Sequence, residues 1–289
     1  MTTLVCIHGR GQHGNNPNEL RRRWMAGLNF GLTMAGRKTV DAEKVVFPFY
    51  GDLLEKKKNE AVRTGANIQL AFDDAVGEMR LDPLMPQPIA ELESDLLKSM
   101  GEQAGVELLQ FDGFADALLR IPAARRILQF LADKTNIDQE VIESFLTDVA
   151  VYFRTAREDV LNLVRAELPN NGEPLVIIGH SLGSLVAHDL LQEPSISSRT
   201  DLLVTAGSPL GLQACYRNLL AGGPRHPAVP KWSTAYDVDD VVALGHPLQP
   251  LYGVPLDDLT VDNPPQKAHS IESYLSHPSV AAGIADVLT

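Results

Sequence analysis

An α/β fold, with a mainly parallel central sheet covered by helices on both faces, is what this sequence predicts. Three observations carry that expectation. Short apolar runs at residues 3–7, 175–178, 201–205 and 232–236 alternate with segments whose apolar residues recur at helical spacing. The run Leu175-Val176-Ile177-Ile178 is apolar at every position, as a strand buried on both faces requires. It stops at Gly179-His180-Ser181-Leu182-Gly183, and Leu182, Leu185, Val186 and Leu190 then continue at helical spacing, so a strand turns sharply into a helix.

The elements follow in order. Residues 3–7 form a strand that ends at His8-Gly9-Arg10-Gly11, followed by a polar, Asn-rich loop. Leu20, Trp24, Leu28 and Leu32 recur every fourth position, which predicts an amphipathic helix from Asn18 to about Ala35 with one buried stripe. Gly27 and Gly31 lie on that helix and are expected to allow close contact with the sheet. Val45-Val46-Phe47-Pro48-Phe49-Tyr50 is the next expected strand, with Pro48 confined to a place where its missing N–H is harmless. Residues 51–138 break the rhythm with charged stretches, Pro83, Pro86 and Pro88, and helical patterns at Leu96–Met100, Phe111–Leu119 and Ala123–Leu131. They read as a helical insertion within a single domain spanning 1–289. A long amphipathic helix follows, marked by Val141, Ile142, Phe145, Val149, Tyr152, Phe153, Val160 and Val164. After the Leu175 strand come strands at 201–205 and 232–236, with the turn Gly207-Ser208-Pro209 between them, and a final helix from about Ser270.

Composition narrows the function. With 44% hydrophobic and 21% charged residues the chain has an ordinary globular make-up. Its 25 Lys and Arg against 37 Asp and Glu give a net charge of -12, which repels nucleic acid and anionic membranes. The runs Arg21–Arg23 and Lys56–Lys58 read as solvated helix faces. Cys6 and Cys215 do not form a disulfide framework, and Met1-Thr2-Thr3 leads directly into an apolar strand without a signal-like segment, so a cytoplasmic location is expected. No window has the apolar length of a membrane span. No H-E-x-x-H or G-x-x-x-x-G-K-[ST] occurs, and neither a metal nor another cofactor is expected.

Ser181 is where the sequence points to chemistry. A serine in so tight a strand-to-helix turn adopts a strained backbone, and only glycines two before and two after it let the helix approach the strand. A serine hydroxyl is a weak nucleophile at neutral pH, so the pattern calls for a histidine base and an acid that orients it, both later in the chain.

The Ile7-His8-Gly9-Arg10-Gly11 and Gly179–Gly183 segments resemble those of the α/β-hydrolases, most closely the esterase and lipase branches. The resemblance covers residues 1–50 and 139–289 and not the insertion. It implies a serine hydrolase acting on carboxylic esters of small-molecule substrates, with Ser181 at a nucleophile elbow and the insertion placed as a lid. The chain starts at the oxyanion strand, so the sheet is expected to be small, about six strands. By the same resemblance the backbone N–H groups of Arg10 and Leu182 form the oxyanion hole. The catalytic acid falls in the loop after 232–236. Asp240-Val241-Val242 matches the D-x-V pattern of such lipases, with Asp237 the rival. His269, followed by Tyr274 in an H-x(4)-Y pattern before the last helix, is the expected base, with His277 and His246 as rivals. His180 is expected to pack rather than react. Phe111, Phe114, Leu118, Leu128 and Phe130 either line an acyl pocket or form the core of the insertion. Peptidase and thioesterase activity, or a non-catalytic binding role, stay open, as does the oligomeric state.

Overall fold

The structure is a computed structural model that describes residues 2–76, 85–106, 126–134 and 138–288. It divides into two compact units, one made of Met1–Tyr50 with Leu161–Thr289 and the other of Gly51–Val160.

The first unit is built on an all-parallel sheet of five strands, β1 (Thr3–Ile7), β2 (Leu175–His180), β3 (Thr200–Ala206), β4 (Trp232–Tyr236) and β5 (Leu256–Thr260), adjacent in chain order. The expected six strands become five among the described residues. Val45–Tyr50 contributes only a single parallel bridge, Val46 to Val5, made by Val46 N–H to the Leu4 carbonyl and Cys6 N–H to the Val46 carbonyl. Pro48 lies two residues on and has no N–H to extend the ladder. β5, by contrast, has no apolar run to announce it. Only Leu256 of its five residues is buried, and the Asp258 carboxylate accepts from the N–H groups of Leu248 and Gln249 at 2.7 and 2.8 Å.

Both faces of the sheet are covered, which is why β2 is buried at every position. On one face Leu4, Cys6, Val176, Ile178, Leu202 and Val204 form a continuous core with three helices: α1 (Pro17–Met34) and two further helices, Ile271–Ser276 and Pro278–Ala285. Asn16 caps α1 through its side chain, Pro17 occupies the first turn, and Trp24, Leu28 and Leu32 supply the buried stripe. Each such side chain contributes about 1.5–3 kcal/mol by leaving water. Gly27 and Gly31 work differently from the expectation, because they admit a helix rather than the sheet. A Cβ on Gly27 would lie 2.6 Å from the Glu272 carbonyl oxygen, and one on Gly31 would lie 2.5 Å from that of Leu275. Arg22 and Arg23 lie on a solvated face of α1, as expected, while Arg21 is half-buried; Arg21 pairs with Glu43 at 2.6 Å and Arg23 with Glu272 at 2.7 Å.

The second unit contains α2 (Gly51–Val76), α3 (Gln87–Ala104) and α4 (Gln139–Val151), with a further helical stretch at 126–134. α4 runs on through a π-helical turn, Tyr152–Ala156, into α5 (Arg157–Glu167), so the long helix read from the sequence carries one widened turn. Ile89, Leu92, Leu96, Met100, Ile142 and Phe145 are buried. Lys58 sits between Glu55 at 2.8 Å and Asp148 at 3.2 Å, and Asp148 is itself buried. Leu128 is buried while Phe130 is 41% exposed. Pro83, Phe111, Phe114 and Leu118 lie outside the described residues. No helix of the described residues is long and apolar enough to cross a membrane.

The glycine-mediated helix crossing has a direct consequence. Gly31→Ala places a methyl group against backbone, and the resulting overpacking of about 1–3 kcal/mol exceeds the roughly 1 kcal/mol that alanine gains over glycine in a helix. Gly283, also helical, has no atom within 4 Å of a Cβ position. Thermal denaturation is expected to show a lower Tm for Gly31→Ala and an unchanged or higher Tm for Gly283→Ala; equal shifts would contradict the close crossing.

Candidate functional site

Ser181 joins β2 to the helix Leu182–Leu190, hereafter α6, with φ 53° and ψ −126°. It is the one non-glycine residue with positive φ among the described residues, a conformation that costs on the order of 1–3 kcal/mol. Its surroundings enforce it. Ser181 N–H donates to the Ala206 carbonyl at 3.0 Å, and Ser184 Oγ donates to the Gly179 carbonyl at 3.0 Å, tying the turn to β3 and closing it on itself. A Cβ on Gly179 would lie 2.7 Å from the Gly183 carbonyl oxygen, and one on Gly183 would lie 2.1 Å from that of Ile7. The two glycines of the motif therefore let α6 rest on the strand before it and on the end of β1. The resulting serine is 1% exposed, and its Oγ has no hydrogen-bond partner.

Asp240 and His269 meet. His269 Nδ1 lies 2.8 Å from Asp240 Oδ2, which also accepts from the Tyr274 hydroxyl at 2.7 Å, while Oδ1 accepts from the Val242 N–H at 2.9 Å. The Asp240 side chain is fully buried and that of His269 is 29% exposed. Burial pushes the Asp240 carboxyl up, but the neighbouring His269 charge, with the hydrogen bonds from His269, Tyr274 and Val242, holds it below its ordinary value. Asp240 is thus an ionised acceptor, and His269 presents Nδ1–H to it.

Asp237, the rival acid, is otherwise engaged. Its Oδ1 accepts from the Asp239 N–H at 2.8 Å and its Oδ2 from the Asn263 N–H at 2.6 Å. Asn263 in turn donates through Nδ2 to the Ala268 carbonyl at 2.9 Å and meets His277 Nε2 at 3.0 Å. Asp237, Asn263 and His277 therefore brace the loop that delivers His269. His246 stacks on Tyr236 at a centroid distance of 4.9 Å and donates from Nδ1 to the Ala243 carbonyl at 2.7 Å.

His180 stands beside His269. Its ring lies 4.7 Å from that of His269, and its Nε2–H donates to the His269 carbonyl at 3.1 Å. Ser181, His269, His180, Gly9, Arg10 and Trp24 share the wall of a cavity of about 250 Å³. Gly9 is pressed against the serine, since a Cβ there would meet Ser181 Cβ at 2.9 Å. Leu182 is the first residue of α6, where a helix offers N–H groups without an intrahelical acceptor. The structure thus brings Ser181, His269 and Arg10 to one cavity and joins Asp240 to His269 from behind.

Two residues of the site make contacts that the sequence motifs do not spell out. Gly207, with φ +52°, ends β3 where a Cβ would lie 2.8 Å from Asp240 Oδ2 and 3.1 Å from His269 Nδ1. Only a residue without a side chain leaves space for the acid and base to meet there. Tyr274, noted as the end of an H-x(4)-Y pattern, is a second donor to Asp240 and is fully buried. The Gly207-Ser208-Pro209 turn and the H-x(4)-Y spacing were the available signals.

Compared with known proteins, the chain matches no protein-family model, no curated protein and no solved structure.

Three histidines are buried and His246 is half-buried, and desolvation is the chief cause of their lowered pKa values: His8, His188 and His246 are each pushed down to about 4, and His180 to about 3. The unfolded chain binds these protons near pH 6.5 and the folded chain does not until about 4 or 3. Their contribution to stability is therefore complete above pH 6.5 and falls as the pH drops below it, by up to about 1.4 kcal/mol per histidine per pH unit. Lowered Asp240 acts in the same direction at lower pH. Urea midpoints are expected to fall steeply between pH 7 and pH 5; a flat profile would contradict the buried neutral state.

Proposed function

We propose that this protein is a serine hydrolase of the α/β-hydrolase type, cleaving carboxylic esters through an acyl-enzyme intermediate. The observation that carries the proposal is the Asp240–His269 pair delivered to the cavity that holds a strained, buried Ser181 with an unpartnered hydroxyl.

In this reading Asp240 accepts Nδ1–H and leaves His269 Nε2 as the basic nitrogen. His269 takes the Ser181 proton as Oγ attacks the acyl carbon, then returns it to the departing alkoxide. The Arg10 and Leu182 N–H groups stabilise the oxyanion, and water, activated by the same histidine, releases the acid. The strain at Ser181 supports the assignment, because such backbone is kept where a side chain must be aimed. Cys6 and Cys215, both buried free thiols, fit a cytoplasmic setting.

The test is a rate series on nitrophenyl esters from acetate to palmitate. Ser181→Ala and Asp240→Asn are expected to lower kcat by about a thousandfold or more, and Asp237→Asn to act chiefly on stability. Wild-type protein that neither hydrolyses the series nor takes up a fluorophosphonate on Ser181 would overturn the reading.

A further inference from the structure

We propose that His8 is a positioning residue for the oxyanion site, fixing the peptide unit between Gly9 and Arg10 and thereby the direction of the Arg10 N–H. The inference rests on the serine-hydrolase reading above and gives a role to a histidine that the reaction scheme leaves unused.

The geometry selects a single form of the His8 ring. Nδ1 lies 2.7 Å from the Gly9 carbonyl oxygen, where only a protonated nitrogen makes a favourable contact. Nε2 lies 3.1 Å from the backbone nitrogen of Tyr50, whose N–H donates and so requires a bare ring nitrogen. Both contacts demand the neutral Nδ1–H tautomer. The ring is 1% exposed, and it stacks on Tyr50 with centroids 4.1 Å apart and planes inclined by 17°. The Tyr50 hydroxyl donates to the His8 carbonyl, closing the clamp from the other side. Burial lowers the imidazole pKa to about 4, so the ring stays neutral around pH 7.

The consequence passes through one planar amide. In a trans peptide the carbonyl and the N–H point to opposite sides of the C–N bond, and the cis bonds among the described residues are those preceding Pro247 and Pro255. A Gly9 carbonyl held toward the His8 ring therefore turns the Arg10 N–H away from it. Gly9 must be a glycine because Ser181 leaves no room for a side chain, and a glycine gives the following peptide more rotational freedom than any other residue. The His8 hydrogen bond removes that freedom where a donor has to be aimed before the charge develops.

Two near-isosteric variants separate the two ring nitrogens. His8→Asn keeps an N–H near the Nδ1 position, and His8→Gln keeps an acceptor near the Nε2 position but offers no donor to Gly9. With kcat normalised to the serine labelled at the fluorophosphonate endpoint, His8→Asn is expected to stay within about threefold of wild type. His8→Gln is expected to lose about 10- to 100-fold in kcat with little change in KM, part of the 10²–10³ that an oxyanion donor supplies. Independently of activity, ¹⁵N spectra of the wild-type imidazole are expected to show Nδ1 protonated and Nε2 bare at pH 7. Equal kcat for the two variants, or an Nε2–H tautomer, would overturn this inference while leaving the hydrolase reading intact. A wild-type protein that is neither active nor labelled would overturn both.

Discussion

The contact between Gly183 and the end of β1 is the constraint from which the site is built. The carbonyl oxygens of Ile7 and His8 stand within 2.1 and 2.6 Å of where a Cβ would be. No side chain fits, so the first turn of α6 settles onto the neighbouring strand. That descent forces the strand-to-helix transition into one residue and puts Ser181 at positive φ. It also brings Gly9 against the serine, so the loop after β1 and the turn after β2 become one wall. The energy that keeps Ser181 strained comes from packing elsewhere, above all the wholly buried β2 and α6.

Much of this was legible in the sequence because it rests on local patterns. The β2-to-α6 turn combines an all-apolar strand, two glycines at fixed offsets and helical spacing afterwards. The order of Ser181, Asp240 and His269 along the chain matches the order in which the elements reach the site. What sequence reading misjudged is non-local. Val45–Tyr50 has strand composition, but a strand needs a partner ladder, and Pro48 stops it after one bridge. β5 has a partner and almost no apolar pattern, because it lies at the sheet edge where Asp257 and Asp258 are tolerated. Gly27 and Gly31 announced close packing without naming what packs; the answer, a helix some 240 residues later in sequence, is a fact of topology.

Asp237 and Asp240 illustrate the same limit. Both sit in one loop, both are buried, and both accept backbone N–H groups. What separates them is their side-chain partners: Asp240 faces His269 and Tyr274, whereas Asp237 ties down the loop that carries His269. Two aspartates three positions apart thus meet different partners, and only the direction of each carboxylate tells them apart.

The placement of Tyr274 reaches beyond the site. Its ring belongs to the core beneath α1 while its hydroxyl donates to Asp240, so it cannot take part in one without the other. His269 and Tyr274 both follow every strand of the sheet along the chain. As the polypeptide leaves the ribosome, the strands and the Ser181 turn emerge first and His269 and Tyr274 afterwards. A nascent chain can thus form the Ser181 turn before His269 reaches it, and the docking of the late helix that carries Tyr274 completes the core and the Asp240–His269 pair together.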